Sequence, residues 1–245
     1  MPNHVRNVIR MKGITKLPLF SDAKETFPGQ PTKFFDFEKL VPRPEDITNT
    51  VAGSEQSDAM HVLALHLEDS QKYFKVWQMQ LADRNKLHLR LGEKWTNEER
   101  RKEYVAKALR YIGNYLEYGA TDWYEWSCTH WGTKWNSYDL QEDSDDQIRF
   151  STAWSAPEPV IAALAKKYPE AHIEHWWADE DYGNNTGYRE YSDGCVSGDY
   201  YDCGSSEAYE NAAFCWEETE CLYQDELGIW RYRTMEELEE MEAMA

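Results

Sequence analysis

The sequence has no apolar run approaching the roughly eighteen residues that a membrane-spanning helix needs, so no membrane partner is expected. Its opening stretch, MPNHVRNVIRMKG, has polar residues where a signal peptide needs an uninterrupted apolar segment, and a cytoplasmic location is expected. Cysteine is sparse. The five, Cys128, Cys195, Cys203, Cys215 and Cys221, are odd in number, and no two stand at the roughly two- to four-residue separation of zinc knuckles. They read as free thiols. G-x-S-x-G, P-loop, H-E-x-x-H and C-x-x-C patterns are all missing, so nucleophilic, phosphate-cradling and zinc chemistries lack their local signatures. The expectation is a protein without cofactor, without a resident metal and without enzymatic activity.

Basic residues are scarce in one part only. Residues 139–245 carry 27 acidic and 6 basic side chains, a net of −21, whereas residues 1–138 carry 18 and 20, a net of +2. A field that negative repels phosphates and lipid headgroups and attracts basic surfaces. Aromatics make up 14% of the chain, with 11 Trp and 16 Tyr, which is a globular composition and not a disordered one.

The stretch Trp131–Ile161 holds three tryptophans, a hairpin signal and a helix start. Before it, His4–Met11 reads as a first strand, with Val5, Ile9 and Met11 of one parity. Residues 14–95, punctuated by prolines, read as an insertion covering one side of the core, with a helical turn within Phe35–Pro44 and helix-like composition over 58–91. Thr96-Asn97-Glu98-Glu99 is a capping box opening a long helix, with Tyr104, Val105, Ala108, Leu109, Ile112 and Leu116 as its apolar stripe and Gly119 as its stop.

Trp123, Trp126, Trp131 and Trp135 alternate loosely with polar residues, as a wide strand would. After a turn at 141–146, Ile148, Phe150, Thr152 and Trp154 alternate as a half-buried strand and complete a hairpin. Ser155-Ala156-Pro157-Glu158 starts a helix buried through Val160, Ile161, Leu164 and Tyr168. AHIEHWWADED is a fourth strand, and Tyr188–Asp202 is a hairpin around Ser192-Asp193-Gly194. Residues 205–220 read as a helix, and 235–244 as a short acidic one.

This order predicts an α+β ferredoxin-like βαββαβ sandwich, an antiparallel sheet with helices on one face. The expected layout is a domain over residues 1–202, with the insertion at about 14–95, and an acidic extension over 203–245 packed on it. Four motifs, MPNHVRN, FDFEKLVPRPED, WGTKWNSYD and F-x-TAWSAPEPVI followed by ALAKKYPE, resemble the YubB-type ferredoxin-like family carried by phages and conjugative plasmids. The resemblance covers residues 1 to about 180. It implies that fold and a mobile-element setting, and it implies no catalytic residues.

Three sites stand out. Asp199, Asp202, Glu207, Glu210, Glu217, Glu218, Glu220, Asp225 and Glu226, interleaved with Trp216 and several tyrosines, make an acidic, aromatic surface. Such a surface suits a host protein with a basic nucleic-acid-binding groove, an inhibitory or DNA-mimicking role, and implies no direct nucleic-acid binding. Alternatively, Trp131, Lys134, Trp135 and Asn136 could stack on and hydrogen-bond a nucleotide or single strand, though these residues read first as packing of the hairpin. A third reading places a divalent metal of a hydrolase at Asp179, Glu180 and Asp181. Against it, the nearby His172 and His175, three apart on a strand, point to opposite faces.

Overall fold

Six of the nine residues of the first strand, β1 (His4–Lys12), are buried, and they fall on both parities, so this strand needs cover on both faces. The computed structural model describes residues 3–23, 32–66, 90–217, 222–233 and 237. It divides the chain into two compact units, residues 1–42 with 127–245, and residues 43–126. In chain order the further strands are β2 (Phe20–Asp22), β3 (Lys33–Phe35), β4 (Tyr138–Glu142), β5 (Gln147–Ala153), β6 (His172–Asp179), β7 (Gly187–Ser192), β8 (Cys195–Ser197), β9 (Leu222–Gln224) and β10 (Trp230–Tyr232).

In the first unit β1 is the inner strand of an antiparallel sheet ordered β4-β5-β1-β6-β7-β8. The run β4-β5-β1-β6 has the ferredoxin-like order, with the first strand between the third and the fourth. Val5 lies opposite Thr152 on one side and Asp179 on the other, which fixes the face of every neighbour. One face carries Val5, Ile9, Met11, Ile148, Phe150, Ile173 and Trp177, all fully buried. The helix Glu158–Lys167 serves that face through Val160, Ile161 and Leu164, and Ala156 at its start clusters with Val5 and Trp177. Phe35 and Phe37 stack edge-on and tilted against Phe150, so residues 32–42 belong to this core and not to an insertion.

The other face carries Arg6, Val8, Arg149, Ser151, Trp176 and Ala178. Helix Ser206–Trp216 packs here, its Ala212 and Cys215 against Val8 and Ala178. The extension therefore brings a helix to the face opposite Glu158–Lys167. The β7–β8 turn is the expected Asp-Gly pair, with φ of 52° at Asp193 and 74° at Gly194.

The second unit comprises residues 43–126, whereas the sequence suggested an insertion over about 14–95. Helix Ser54–His66 and helix Glu98–Tyr118 share a core of Met60, Val62, Leu63, Tyr104, Ala108 and Ile112. The long helix begins one residue later than predicted. Asn97, not Thr96, is the cap, accepting from the Glu99 and Arg100 amides. Its buried stripe runs through Tyr104, Ala108, Tyr111 and Ile112, and Leu109 and Leu116 are exposed, because the 3.6-residue period carries them off that face.

The predicted wide strand at the tryptophans is instead, over Trp123–His130, a helix. Asp122 caps it by accepting from the Tyr124 and Glu125 amides, and Trp123 and Trp126 are one turn apart. The predicted acidic helix at 235–244 lies outside the described residues, apart from Glu237.

Candidate functional site

The loop after Trp131 is tied to the end of β5. Thr133 Oγ1 donates to the Ala153 carbonyl at 2.7 Å and accepts from the Ala153 amide at 3.1 Å. That double link sets Lys134 and Trp135 beside Trp154. Lys134 Nζ lies 4.7 Å from the Trp135 ring centre and 4.6 Å from that of Trp154, a cation held against two indoles. Both tryptophans remain open to solvent, at 37% and 40% exposure.

Trp154 has φ of 74°, a left-handed conformation that costs a bulky residue on the order of 1–2 kcal/mol. The surroundings hold it there. Its amide donates to the Asn3 carbonyl and its carbonyl accepts from Asn185 Nδ2, each at 2.9 Å. Asn3 and Asn185 also donate to the two oxygens of buried Asp179, both at 3.1 Å. The Asp179 carboxylate is therefore an organiser of this loop junction.

The four residues of the alternative ligand reading thus separate. Trp131 is 1% exposed, donates to the Val41 carbonyl at 2.9 Å and packs edge-on against Phe37. Asn136 accepts from the Phe37 and Ser137 amides and donates to Asp36 Oδ1 at 2.8 Å. Trp131 is thus an internal brace and half-buried Asn136 is engaged by the neighbouring chain, whereas Lys134 and Trp135 stand at the surface. Replacing Asn136 by alanine strands the Phe37 amide, and urea unfolding should show a loss of about 1–3 kcal/mol. Trp154 and Asn185, the partners that complete the exposed cluster, carry no local sequence signal, because their positive φ values depend on what holds them.

The metal reading fares less well. His172 and His175 do lie on opposite faces of β6, Asp179 is engaged by two asparagines and by the Asp181 amide, and among the described residues no three His, Cys, Asp or Glu side chains form a metal-holding group. His175 is fully buried. Its Nε2 donates to Asn7 Oδ1 at 3.0 Å, since the Asn7 amide group is already donating to Val5 and Thr152. Burial first, and the Arg189 charge second, push its pKa down to about 3, so the ring is neutral.

The acidic surface also resolves into parts. Helix Ser206–Trp216 turns Ala208, Asn211, Ala212 and Cys215 inward and leaves Glu207 and Glu210 exposed. Asp199, Asp202 and Glu226 are exposed as well. Among the described residues no lysine, arginine or histidine pairs with any of these five. In the second unit, by contrast, Glu98, Glu103, Glu55 and Asp58 each pair with a lysine or an arginine.

Three other predicted members have internal duties. Glu217 pairs with Arg149 at 3.1 Å, and Trp216 Nε1 donates to the Ala178 and Asp179 carbonyls. Asp225 caps its own turn by accepting from the Leu227 and Ile229 amides and pairs with Arg231, contacts that hold its pKa below the usual carboxylate range. Glu218 and Glu220 lie outside the described residues.

Comparison with known proteins finds a likeness over part of the chain. Residues 130–224 match the family model described as a ferredoxin-like domain in Api92-like protein. That span begins just before the Thr133 link and ends at β9, so it includes the outer strands β7 and β8 and the Ser206–Trp216 helix. A solved structure, the protein api92 from Yersinia pseudotuberculosis, aligns at a TM-score of 0.34 and 10% identity, over 83% of this chain and 99% of that chain. No curated protein matches the chain. Among the described residues no helix is long and apolar enough to cross a membrane.

Proposed function

We propose that this chain is a non-enzymatic binding protein of phage or plasmid origin that inhibits a host defence or nucleic-acid-processing protein. The carrying observation is the set of exposed carboxylates, Asp199, Asp202, Glu207, Glu210 and Glu226, that no cation among the described residues neutralises. An unpaired acidic surface is costly to the free protein through self-repulsion, and a basic partner relieves that cost on binding. Exposed Tyr200, Phe214 and Tyr232 add the aromatic contacts that anchor protein interfaces. Carboxylates at such a surface occupy the place that phosphates take in a basic groove. The mobile-element origin rests on the motif resemblance to the YubB-type family.

The test is capture from host lysate by the wild-type chain and by the double variant Glu207→Lys and Glu210→Lys. Wild type should retain a basic, nucleic-acid-handling protein at low salt, and the double variant should lose at least about ten-fold in affinity, since two reversals at a rim cost more than about 1.4 kcal/mol. Equal retention by both chains contradicts the proposal.

A further inference from the structure

We infer that the pair Trp135 and Trp154 is a clasp for a cationic side chain, an arginine of the basic partner, and that Lys134 is its resident occupant in the free protein. The inference rests on the proposed basic partner and names where that partner is gripped. Core packing does not account for the cluster, since both tryptophans are more than a third exposed. Nor does local chain geometry favour it, because Trp154 holds a left-handed φ of 74° only through Asn3 and Asn185.

What the clasp accepts follows from what it already holds. The ammonium of Lys134 sits 4.7 and 4.6 Å from the two ring centres, so the electron-rich indole faces are arranged for positive charge. Charges nearby have the same preference. Asp179 is one hydrogen-bonded residue from Trp154, and Glu180 and Asp181 are exposed at the end of β6. A phosphate approaching Lys134 would meet this field. A guanidinium is planar and more weakly hydrated than an ammonium, and it stacks on indole better. An incoming arginine therefore displaces Lys134, whose flexible stem lets its charge return to water.

The experiment is calorimetry with an oligo-arginine peptide at low ionic strength. Oligo-lysine and a single-stranded oligonucleotide serve as controls. Oligo-arginine should bind, and more tightly than oligo-lysine. Trp135→Ala and Trp154→Gly should each weaken it about three- to thirty-fold, the range for one cation–π contact. Glycine suits the left-handed position, so Trp154→Gly keeps the fold. Lys134→Ala removes a charge and the competitor, and it should tighten binding.

Two results overturn the clasp: tryptophan variants that bind like wild type, or oligonucleotide binding that Lys134→Ala abolishes. If the tryptophan variants bind normally while Glu207→Lys with Glu210→Lys weakens oligo-arginine, the clasp fails and the acidic-surface reading stands. If wild type does not bind oligo-arginine at all, both fail.

Discussion

Acidification from pH 6.5 to 3 should cost the fold about 4 kcal/mol through His175 alone. The imidazole is fully buried, its folded pKa is about 3 against an ordinary 6.5, and Arg189 stands opposite it in the β6–β7 register. Because the folded value is depressed, the unfolded chain takes up the proton first. The stabilisation is complete above pH 6.5 and falls by about 1.4 kcal/mol for each unit below it. Relief of the overall negative charge works in the opposite direction over the same range. A comparison with His175→Gln, which retains a donor toward Asn7, cancels that common contribution. The stability difference between the two proteins, from urea unfolding at successive pH values, should shrink as pH falls, and a constant difference contradicts a buried neutral imidazole.

The second large effect is expected at Arg149. Its guanidinium, 6% exposed, donates to Asp143 at 2.7 Å and to the Phe214 and Cys215 carbonyls at 2.6 and 3.1 Å. Those carbonyls belong to the last turn of helix Ser206–Trp216, which has no helical donors left for them, and a cation there also meets the negative end of the helix dipole. Arg149→Met leaves two carbonyls without their donor and takes the cation from Asp143 and Glu217, with Asp143 keeping only its Gln147 donor. Removing one member of a buried ionic cluster costs about 3–5 kcal/mol.

One effect offsets part of this. Arg6 lies close enough for Arg149 to lower its pKa, after the larger effect of burial, so deleting Arg149 relieves a like-charge contact. The net loss should be near 3 kcal/mol. It should be local, with the buried Cys215 thiol, pushed well above its ordinary range by burial, becoming open to a thiol reagent. A variant as stable as wild type with Cys215 still unreactive contradicts the assigned role of Arg149.

The Asp193–Gly194 turn is legible because it is a local rule with one outcome. The strand at Gln147–Ala153 and the helix at Glu158 are legible only in part: the strand is buried on both faces and not on one, because the Ser206–Trp216 helix covers its Arg149 side, and Ser155 does not cap the helix but donates to the Gly132 carbonyl. The Trp123–His130 helix is not legible from the spacing of its tryptophans, because the deciding feature is the cap at Asp122. Leu109 and Leu116 were misplaced because a long helix offers two neighbouring apolar stripes, and only its partner helix selects one.

At the candidate sites, residue type suggests Trp131 and Asn136 for a ligand, but burial assigns Trp131 to the core and hydrogen bonds to Phe37, Ser137 and Asp36 engage the Asn136 amide. Trp154 was read as a strand residue. Its left-handed backbone is held by Asn3, Asn185 and Asp179, all of them far from it in sequence. The charge asymmetry between the two parts of the chain was visible in full, but which carboxylates are internally paired was not, since Arg149 and Arg231 choose Glu217 and Asp225 through the fold.

Under the proposed function, the exposed carboxylates bind a basic partner as nucleic acid would. The most direct measurement is the affinity of the captured partner as salt rises from about 50 to about 200 mM, in the presence and absence of competing duplex DNA. A steep linear fall of log affinity with log salt is expected, with a shallower slope for Glu207→Lys with Glu210→Lys and mutual exclusion with DNA. A flat salt dependence, or simultaneous binding of DNA and this chain, contradicts it.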